Sequence, residues 1–433
     1  MNPLSASHLE FSLNSRPRRG MFLSLAALLT LVGSAEALKI SAVTALANSG
    51  QVNAVQKALA IDPGNPALHD RLTQLYADSA DPSDLMKAEQ EARRATALNP
   101  NKSDYWLALA SSCESLGDNA CADQAAQQAS KLSPMVPQVW WVAGNHYLRT
   151  NRPASALPCF HRLLELSTDY AVPTFALTLR AYNDPIEILD QVVGHEGNPK
   201  LGLAFADFMS ANQQFEAAHQ AWLQVAASRA PLPFASVQPY IERLLAQGRY
   251  QEAGTIWSQL EDRGAIAKSD EPGNLAFNGS FEQPPLGAGF DWRLQPSPYA
   301  SVDFADASPY AGAQCLRVDF PVGQNDDFEP VYQIVPAAPN QSYSLSAYVR
   351  SSEITSDSGP RLRVIDEDCP ACLNAETDST VGSTPWHSVK LDFTAGAQTK
   401  ALRVSVWRPR SRVFPMEISG SFWLDAVSIR IRN

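Results

Sequence analysis

The side chains with the most chemical potential are cysteines. Cys369-Pro370-Ala371-Cys372 is the one close pair among the six cysteines of this 433-residue chain. No second CxxC and no histidine pair stands near it, so a tetrahedral zinc site lacks ligands. A redox pair would open a helix in a βαβ unit, yet its flanks read as strands. A structural disulfide closing a loop is the favoured reading, with free thiols as the alternative. Cys113 and Cys121 are placed to bridge two adjacent helices, which spacing alone leaves open, whereas Cys159 and Cys315 sit in apolar contexts and read as small buried hydrophobes. Among nucleophile and metal motifs there is no His-Glu-x-x-His, no Gly-x-Ser-x-Gly and no phosphate-cradling glycine loop. Nothing marks a glycosidase-like pair among the 45 acidic residues, and His195-Glu196 reads as a turn. The expectation is a protein without catalytic residues, not an enzyme.

Composition narrows the partners. A net charge of −11 disfavours nucleic acid, whose phosphates need a basic face. Hydrophobic residues make up 45% of the chain, enough for a packed core. Arg16, Arg18 and Arg19 precede an apolar run from Met21 to Ala35 that meets Ala35-Glu36-Ala37. A basic n-region, an apolar run and a small-x-small site read as a secretory signal. An uncleaved membrane anchor over residues 1–37 is the alternative, because Leu38 to Leu46 can prolong the helix toward the ~20 residues a span needs. Either reading sends the rest of the chain across a membrane, to the periplasm or cell envelope, anchored at the inner membrane where the segment is retained.

From Gln51 to Glu261 helical periodicity dominates. Trp106 and Trp140 lie 34 residues apart, and Ala88, Ala122 and Ala156 recur at the same interval. Each alanine heads an Ala-x3-Ala or Ala-x3-Phe step, and Pro100 and Pro134 stop the second helix of their units. Phe215, Ala218 and Trp222 return as Tyr250, Ala253 and Trp257 at a spacing of 35. This pattern resembles the tetratricopeptide repeat family, and predicts five or six helical hairpins within an all-α solenoid over residues 38–261. In that family the inward face of the first helix carries the ligand contacts. Carried over, these are Asp70 and Gln74, Asp104 and Ser111, then Trp141, Asn145 and Arg149. The set departs from a lysine- and asparagine-rich carboxylate clamp, so it implies an envelope protein partner other than a chaperone tail. Trp141 points elsewhere than its neighbour Trp140, which fills the core position, so it is either an exposed anchor or packed against the preceding repeat.

A polar stretch over 262–273 reads as a hinge. Beyond it, period-two alternation takes over in Cys315 to Phe320, Tyr343 to Val349, Leu362 to Ile365, Val389 to Phe393, Leu402 to Trp407 and Phe422 to Ile431. Eight to ten short strands over residues 274–433 predict an all-β jelly-roll sandwich. The chain is therefore expected to be multidomain. Asn274-Leu-Ala-Phe-Asn-Gly-Ser-Phe-Glu282 at the start, Tyr310 to Val318, and Phe422-Trp-Leu-Asp-Ala-Val427 near the end resemble jelly-roll carbohydrate-binding modules of the cellulose- and xylan-binding type. The resemblance implies a structural calcium held by Glu282 and Asp425, with Asp306 as a further ligand; backbone amides are the alternative partners of those carboxylates. For glycan the candidates are Asp291, Trp292, Arg361, Trp407 and Arg408, which supply aromatic faces and hydroxyl-reading groups; the alternative is that Trp292 and Trp407 are strand-core residues and the arginines are solvated. The combined expectation is a non-catalytic exported scaffold whose repeats hold a protein and whose sandwich contacts polysaccharide, in exopolysaccharide assembly or export. The competing expectation is a protein-only scaffold with a structural sandwich.

Overall fold

Small side chains at helical spacing let antiparallel helices close on one another, and that is how the first part of the chain folds. The computed structural model describes residues 15–194, 198–228, 230–268, 271–296, 298, 300–304 and 308–432. The helices in order are α1 (Arg16–Ala47), α2 (Val52–Ile61), α3 (Pro66–Ala77), α4 (Asp84–Leu98), α5 (Ser103–Ser115), α6 (Asn119–Leu132), α7 (Pro137–Arg149), α8 (Pro153–Leu166) and α9 (Ala171–Tyr182). They belong to a first compact unit, Met1–Asn183. Proline opens α3, α7 and α8, where its missing N–H costs nothing. The side chains of Asn65 and Asp118 cap α3 and α6 by accepting from Ala67 and Cys121 amides. Ala88, Ala122 and Ala156 are all buried. A Cβ on Gly144 would stand 2.6 Å from the Phe160 ring, so α7 and α8 touch at a point only glycine permits. The repeat is also visible in polar contacts. Trp106 Nε1 donates to the Pro100 carbonyl at 2.8 Å, and Trp140 Nε1 to the Pro134 carbonyl at 2.9 Å.

α1 runs unbroken through Ala35-Glu36-Ala37, and its last turns join the repeat core through buried Val43, with Leu46 and Ala47 packed beside it. Cys113 is bonded to Cys121, tying α5 to α6.

The second compact unit is Asp184–Asn433. It begins with α10 (Pro185–Ile188), a π-turn at Leu189–Val193, α11 (Pro199–Ala211), α12 (Phe215–Ala227), α13 (Phe234–Ala246) and α14 (Tyr250–Asp262). Ten strands follow among the described residues: β1 (Arg293–Leu294), β2 (Ser301–Asp303), β3 (Leu316–Gln324), β4 (Phe328–Pro336), β5 (Ser342–Ile354), β6 (Arg361–Asp366), β7 (Asn374–Glu376), β8 (Gly382–Thr394), β9 (Ala401–Arg408) and β10 (Ile418–Ile431). They form two antiparallel five-stranded sheets, ordered β1-β4-β9-β6-β7 and β2-β3-β10-β5-β8. From β3 to β6 the chain changes sheet at every strand, which is jelly-roll topology. Inward residues such as Val318, Val331, Leu345, Val364, Val404 and Leu424 fill the space between the sheets. The opening Asn274 ties the two ends of this part together. Its side chain accepts from the Ile429 amide and donates to the Val427 carbonyl.

The boundary between compact units falls at Asn183/Asp184, not in the 262–273 stretch read above as a hinge. Helices α13 and α14 are bound to the sandwich by three sets of contacts. Glu242 pairs with Arg293 at 2.8 Å and accepts from the Gly289 amide. The Tyr250 hydroxyl donates to Asp368 at 2.7 Å. Trp257 meets Phe234, Phe277 and Phe290 edge-on, with centroids 5.0–5.7 Å apart. Polar composition alone does not make a hinge when the flanking helices bury aromatic surface against the next fold.

Candidate functional site

Three places carry the side chains singled out above. The first is the turn over residues 310–314. Asp425, fully buried on β10, accepts from the Tyr310 and Ala311 amides at 2.8 and 3.0 Å. Glu282 accepts from the Ala313 and Gln314 amides. Burial pushes the Asp425 carboxyl above its ordinary range, and the nearby Glu282 charge adds to this against the pull of the amides. Two carboxylates thus converge on one turn with backbone amides as their partners there, a charge imbalance that a divalent cation would relieve. They supply only two of the several oxygens calcium takes, and no group of three or more His, Cys, Asp or Glu is placed to hold a metal among the described residues. Asp306, the third expected ligand, lies outside the described residues.

The second place is the outer face of the β1-β4-β9-β6-β7 sheet. Here the expected glycan residues separate. Trp292 is fully buried, packs on Phe281 at 5.2 Å and donates its Nε1 proton to the Asn278 carbonyl. Asp291 is buried too, accepting from the Leu286 and Trp292 amides, and burial pushes its carboxyl up to about 6. Arg408 is buried and spends its guanidinium on the Ser358, Asp326 and Met416 carbonyls and on Asn325. These three are therefore corrected from glycan contacts to parts of the sandwich interior, because none presents a face to solvent. Trp407 and Arg361 do lie on outer strand positions, paired in register across β6 and β9. Trp407 is half-buried beneath the Arg363 guanidinium, 3.7 Å from the ring centroid. Glutamates already engage the arginines of this face: Glu329 bonds Arg363 and Arg403, Glu367 bonds Arg403, and Glu376 bonds Arg361. Cys369 and Cys372 are joined in the loop that follows β6.

Sequence reasoning missed an aromatic ridge on the outer face of the other sheet. Trp423 on β10 stands in register with Arg317 on β3 and Arg350 on β5. The Arg350 guanidinium lies 4.0 Å over the Trp423 ring and 5.2 Å from Trp386 on β8. Tyr310 stacks on Tyr348 at 3.5 Å with an interplanar angle of 11°, and sits 6.1 Å from Trp386. Strand parity was the available signal, since Tyr348, Arg350 and Trp423 alternate with core residues along their strands.

The third place is the repeat face of the first unit. Burial pushes the Asp70 carboxyl above its ordinary range, opposed by Lys102 and reinforced by the charge of Asp104. Gln74 bonds Asp70 within α3, and Ser111 is exposed on α5. Asn145 donates to the Trp141 carbonyl, and Arg149 is paired with Glu114. Trp141 is half-buried, its ring packing on Phe160 and on Tyr170, 6.2 and 5.4 Å away. Beside it lies a polar hub that spacing did not reveal. His146, 1% exposed, bridges Glu114 at 2.8 Å and Asp123 at 2.7 Å, while Arg152 grips Asp123 from the other side.

The geometry defines a class: a helical-repeat array of tetratricopeptide type and a jelly-roll β-sandwich in one chain. No protein-family model matches the chain, and no curated protein matches it. Solved structures are similar to parts of it. A structure described as "CBM4 structure and function" is 9% identical, covering 36% of this chain and 99% of its own at a TM-score of 0.28. The MamA protein is 12% identical, covering 46% of this chain and 100% of its own at 0.30. The CBM22-1 xylan-binding domain from Paenibacillus barcinonensis Xyn10C is 16% identical, covering 35% of this chain and 91% of its own at 0.24.

Proposed function

We propose that this chain is a non-catalytic, exported envelope scaffold that holds a protein partner on its repeats and polysaccharide on its sandwich, in the assembly or export of an exopolysaccharide. The observation that supports it best is the presence of aromatic rings and guanidinium groups at outer strand positions of a jelly-roll sandwich, where core packing does not require them. Flat rings accept the C–H faces of pyranose sugars while oriented polar groups read hydroxyls. On the repeats, Asp70, Asp104, Trp141, Asn145 and Arg149 are the candidate contacts for an envelope protein. α1 spans 32 residues with basic residues at its start and serves in this proposal as export signal or inner-membrane anchor. A structural calcium bound by Glu282 and Asp425 would neutralise the two converging carboxylates and fix the 310–314 turn.

Affinity electrophoresis of the full chain through gels carrying neutral or acidic polysaccharides tests this reading, and retardation in at least one gel is the expected result. A second reading makes the sandwich structural. The prior engagement of Arg361, Arg363 and Arg403 by glutamates favours it, together with the packing of α13 and α14 against β1 and β4. Unretarded migration in every gel would select that alternative.

A further inference from the structure

Exposed apolar side chains gather at one loop of the sandwich. β9 ends at Arg408 and β10 begins at Ile418. Between buried Ser411 and buried Ile418 every residue is exposed, in the order Arg412, Val413, Phe414, Pro415, Met416 and Glu417. Phe414 is 89% exposed, the highest value among the large apolar side chains described, those of α1 included. Val413 and Met416 stand near it at 59% and 46%. A single exposed apolar residue needs no explanation, but three at one tip form a patch that marks an interaction site.

The tip is held out by a built foot. There the buried Arg408 guanidinium donates to the Ser358, Asp326 and Met416 carbonyls and to Asn325. Asn325 also accepts from the Ser411 amide, and the Ser411 hydroxyl donates to Asp357. Ser358 donates its hydroxyl proton to the Pro409 carbonyl at 2.6 Å. These bonds fix both ends of the loop, so its apolar residues cannot fold back onto the sheet edge without breaking buried polar contacts. They also use up local charge. Arg410 pairs with Asp327 at 3.3 Å, whereas Arg412 is exposed and has no ion-pair partner among the described residues.

Chemistry narrows the occupant. The side chains of Val413, Phe414, Pro415 and Met416 carry no hydroxyl or N–H with which to read a sugar. An apolar tip backed by an arginine matches the order of layers at a membrane surface, hydrocarbon inside and phosphate just outside. The same chain carries, in α1, a helix long and apolar enough to cross a bilayer. We propose that this loop is a second membrane contact: Val413, Phe414 and Met416 dip among the acyl chains of a phospholipid surface, and Arg412 meets the phosphates. Such a contact is shallow and reversible, and its strength scales with the apolar area it buries. The inference goes beyond the scaffold reading and does not depend on a glycan ligand.

The test puts a polarity-sensitive fluorophore on the thiol of Val413→Cys in the full chain. The native cysteines are bonded or buried, so the new thiol takes the label. Labelled protein is reconstituted into vesicles of phosphatidylcholine and phosphatidylglycerol, and flotation selects the vesicle-bound fraction. A label on Ser388→Cys, an exposed position of β8, serves as the comparison. The expected result is a blue-shifted emission at position 413, quenched by lipids spin-labelled near the headgroup, with neither signal at 388. Adding Phe414→Asp should abolish both signals and Arg412→Gln should weaken them, with the melting profile unchanged, while Phe414→Leu should keep them. A label at 413 that stays aqueous on floated vesicles overturns the lipid contact and leaves the tip for a protein pocket. Signals that persist in Phe414→Asp overturn it as well. Equal quenching at 388 does the same, since the sandwich would then lie on the surface without using its loop. Failure of the chain to float overturns both this contact and the anchoring role of α1.

Discussion

The His146 hub of the repeats and the interior of the sandwich bury carboxylates in opposite ways. In the repeats, Asp123 is held by Arg152 and His146, and its carboxyl falls below the usual range. Burial pushes Glu114 upward, but bonds from Arg149 and His146 outweigh it and bring the group down. In the sandwich, Asp291 and Asp425 are buried with amides as their bonding partners, and both rise. Amide dipoles satisfy an anion's geometry but compensate desolvation less fully than a cation does. The lesson is that hydrogen-bond count does not forecast the sign of a buried acid's shift; the charge of the donors does.

The comparison can be broken most forcefully at the sandwich core. Trp292→Ala should destabilise the second unit by about 3–5 kcal/mol while the first unit's melting transition stays in place, as calorimetry would read. Simultaneous loss of both transitions would contradict the separation into two units. Next comes acid. A carboxyl raised to about 6 in the fold from its ordinary 3.8 disfavours folding at neutral pH, so Asp291 should let the sandwich gain about 2–3 kcal/mol as pH falls from above 6 toward 4. Depressed groups such as Asp123 contribute stability above their unfolded value and lose it only as pH drops below about 4. The two melting transitions should therefore move apart between pH 7 and 5, and parallel movement would refute the contrast.

Smaller effects test the repeats. Gly144→Ala forces a methyl into the Phe160 ring and should cost about 1–3 kcal/mol, seen as an earlier first transition. Trp141→Ala removes contacts with Phe160 and Tyr170 and should cost about 1 kcal/mol. A neutral melting profile with impaired partner capture would instead restore Trp141 as an exposed anchor.

The repeats were legible because their information is local. Ala88, Ala122 and Ala156 recur at one interval, and the same helix contacts follow from each. The long strands with clean alternation were legible for the same reason. β4 was missed because Phe328-Glu-Pro-Val-Tyr-Gln-Ile-Val-Pro336 does not alternate: Val331, Gln333, Ile334 and Val335 are all buried, so the period-two signal vanishes. Site residues were harder. Trp292 and Trp407 look alike in sequence, each beside an arginine, yet one fills the core and the other lies on a face. The stack of Tyr310 on Tyr348 joins residues 38 positions apart through a turn held by Asp425, and no local pattern encodes that meeting. The His146 hub likewise draws on three helices, α5, α6 and α7.

The unbroken α1 has a mechanical consequence. At about 1.5 Å per residue its 32 residues form a rod of about 48 Å, of which a bilayer core would take about 30 Å. The final turns are already embedded in the first hairpin through Val43 and Leu46, so there is no slack tether between rod and repeats. Under the proposed anchoring, the first hairpin is held within about 18 Å of the hydrocarbon edge, and its tilt follows that of the rod. Reach, rather than affinity alone, then selects the partner: only a protein whose docking surface lies close to the membrane can meet α3 and α5.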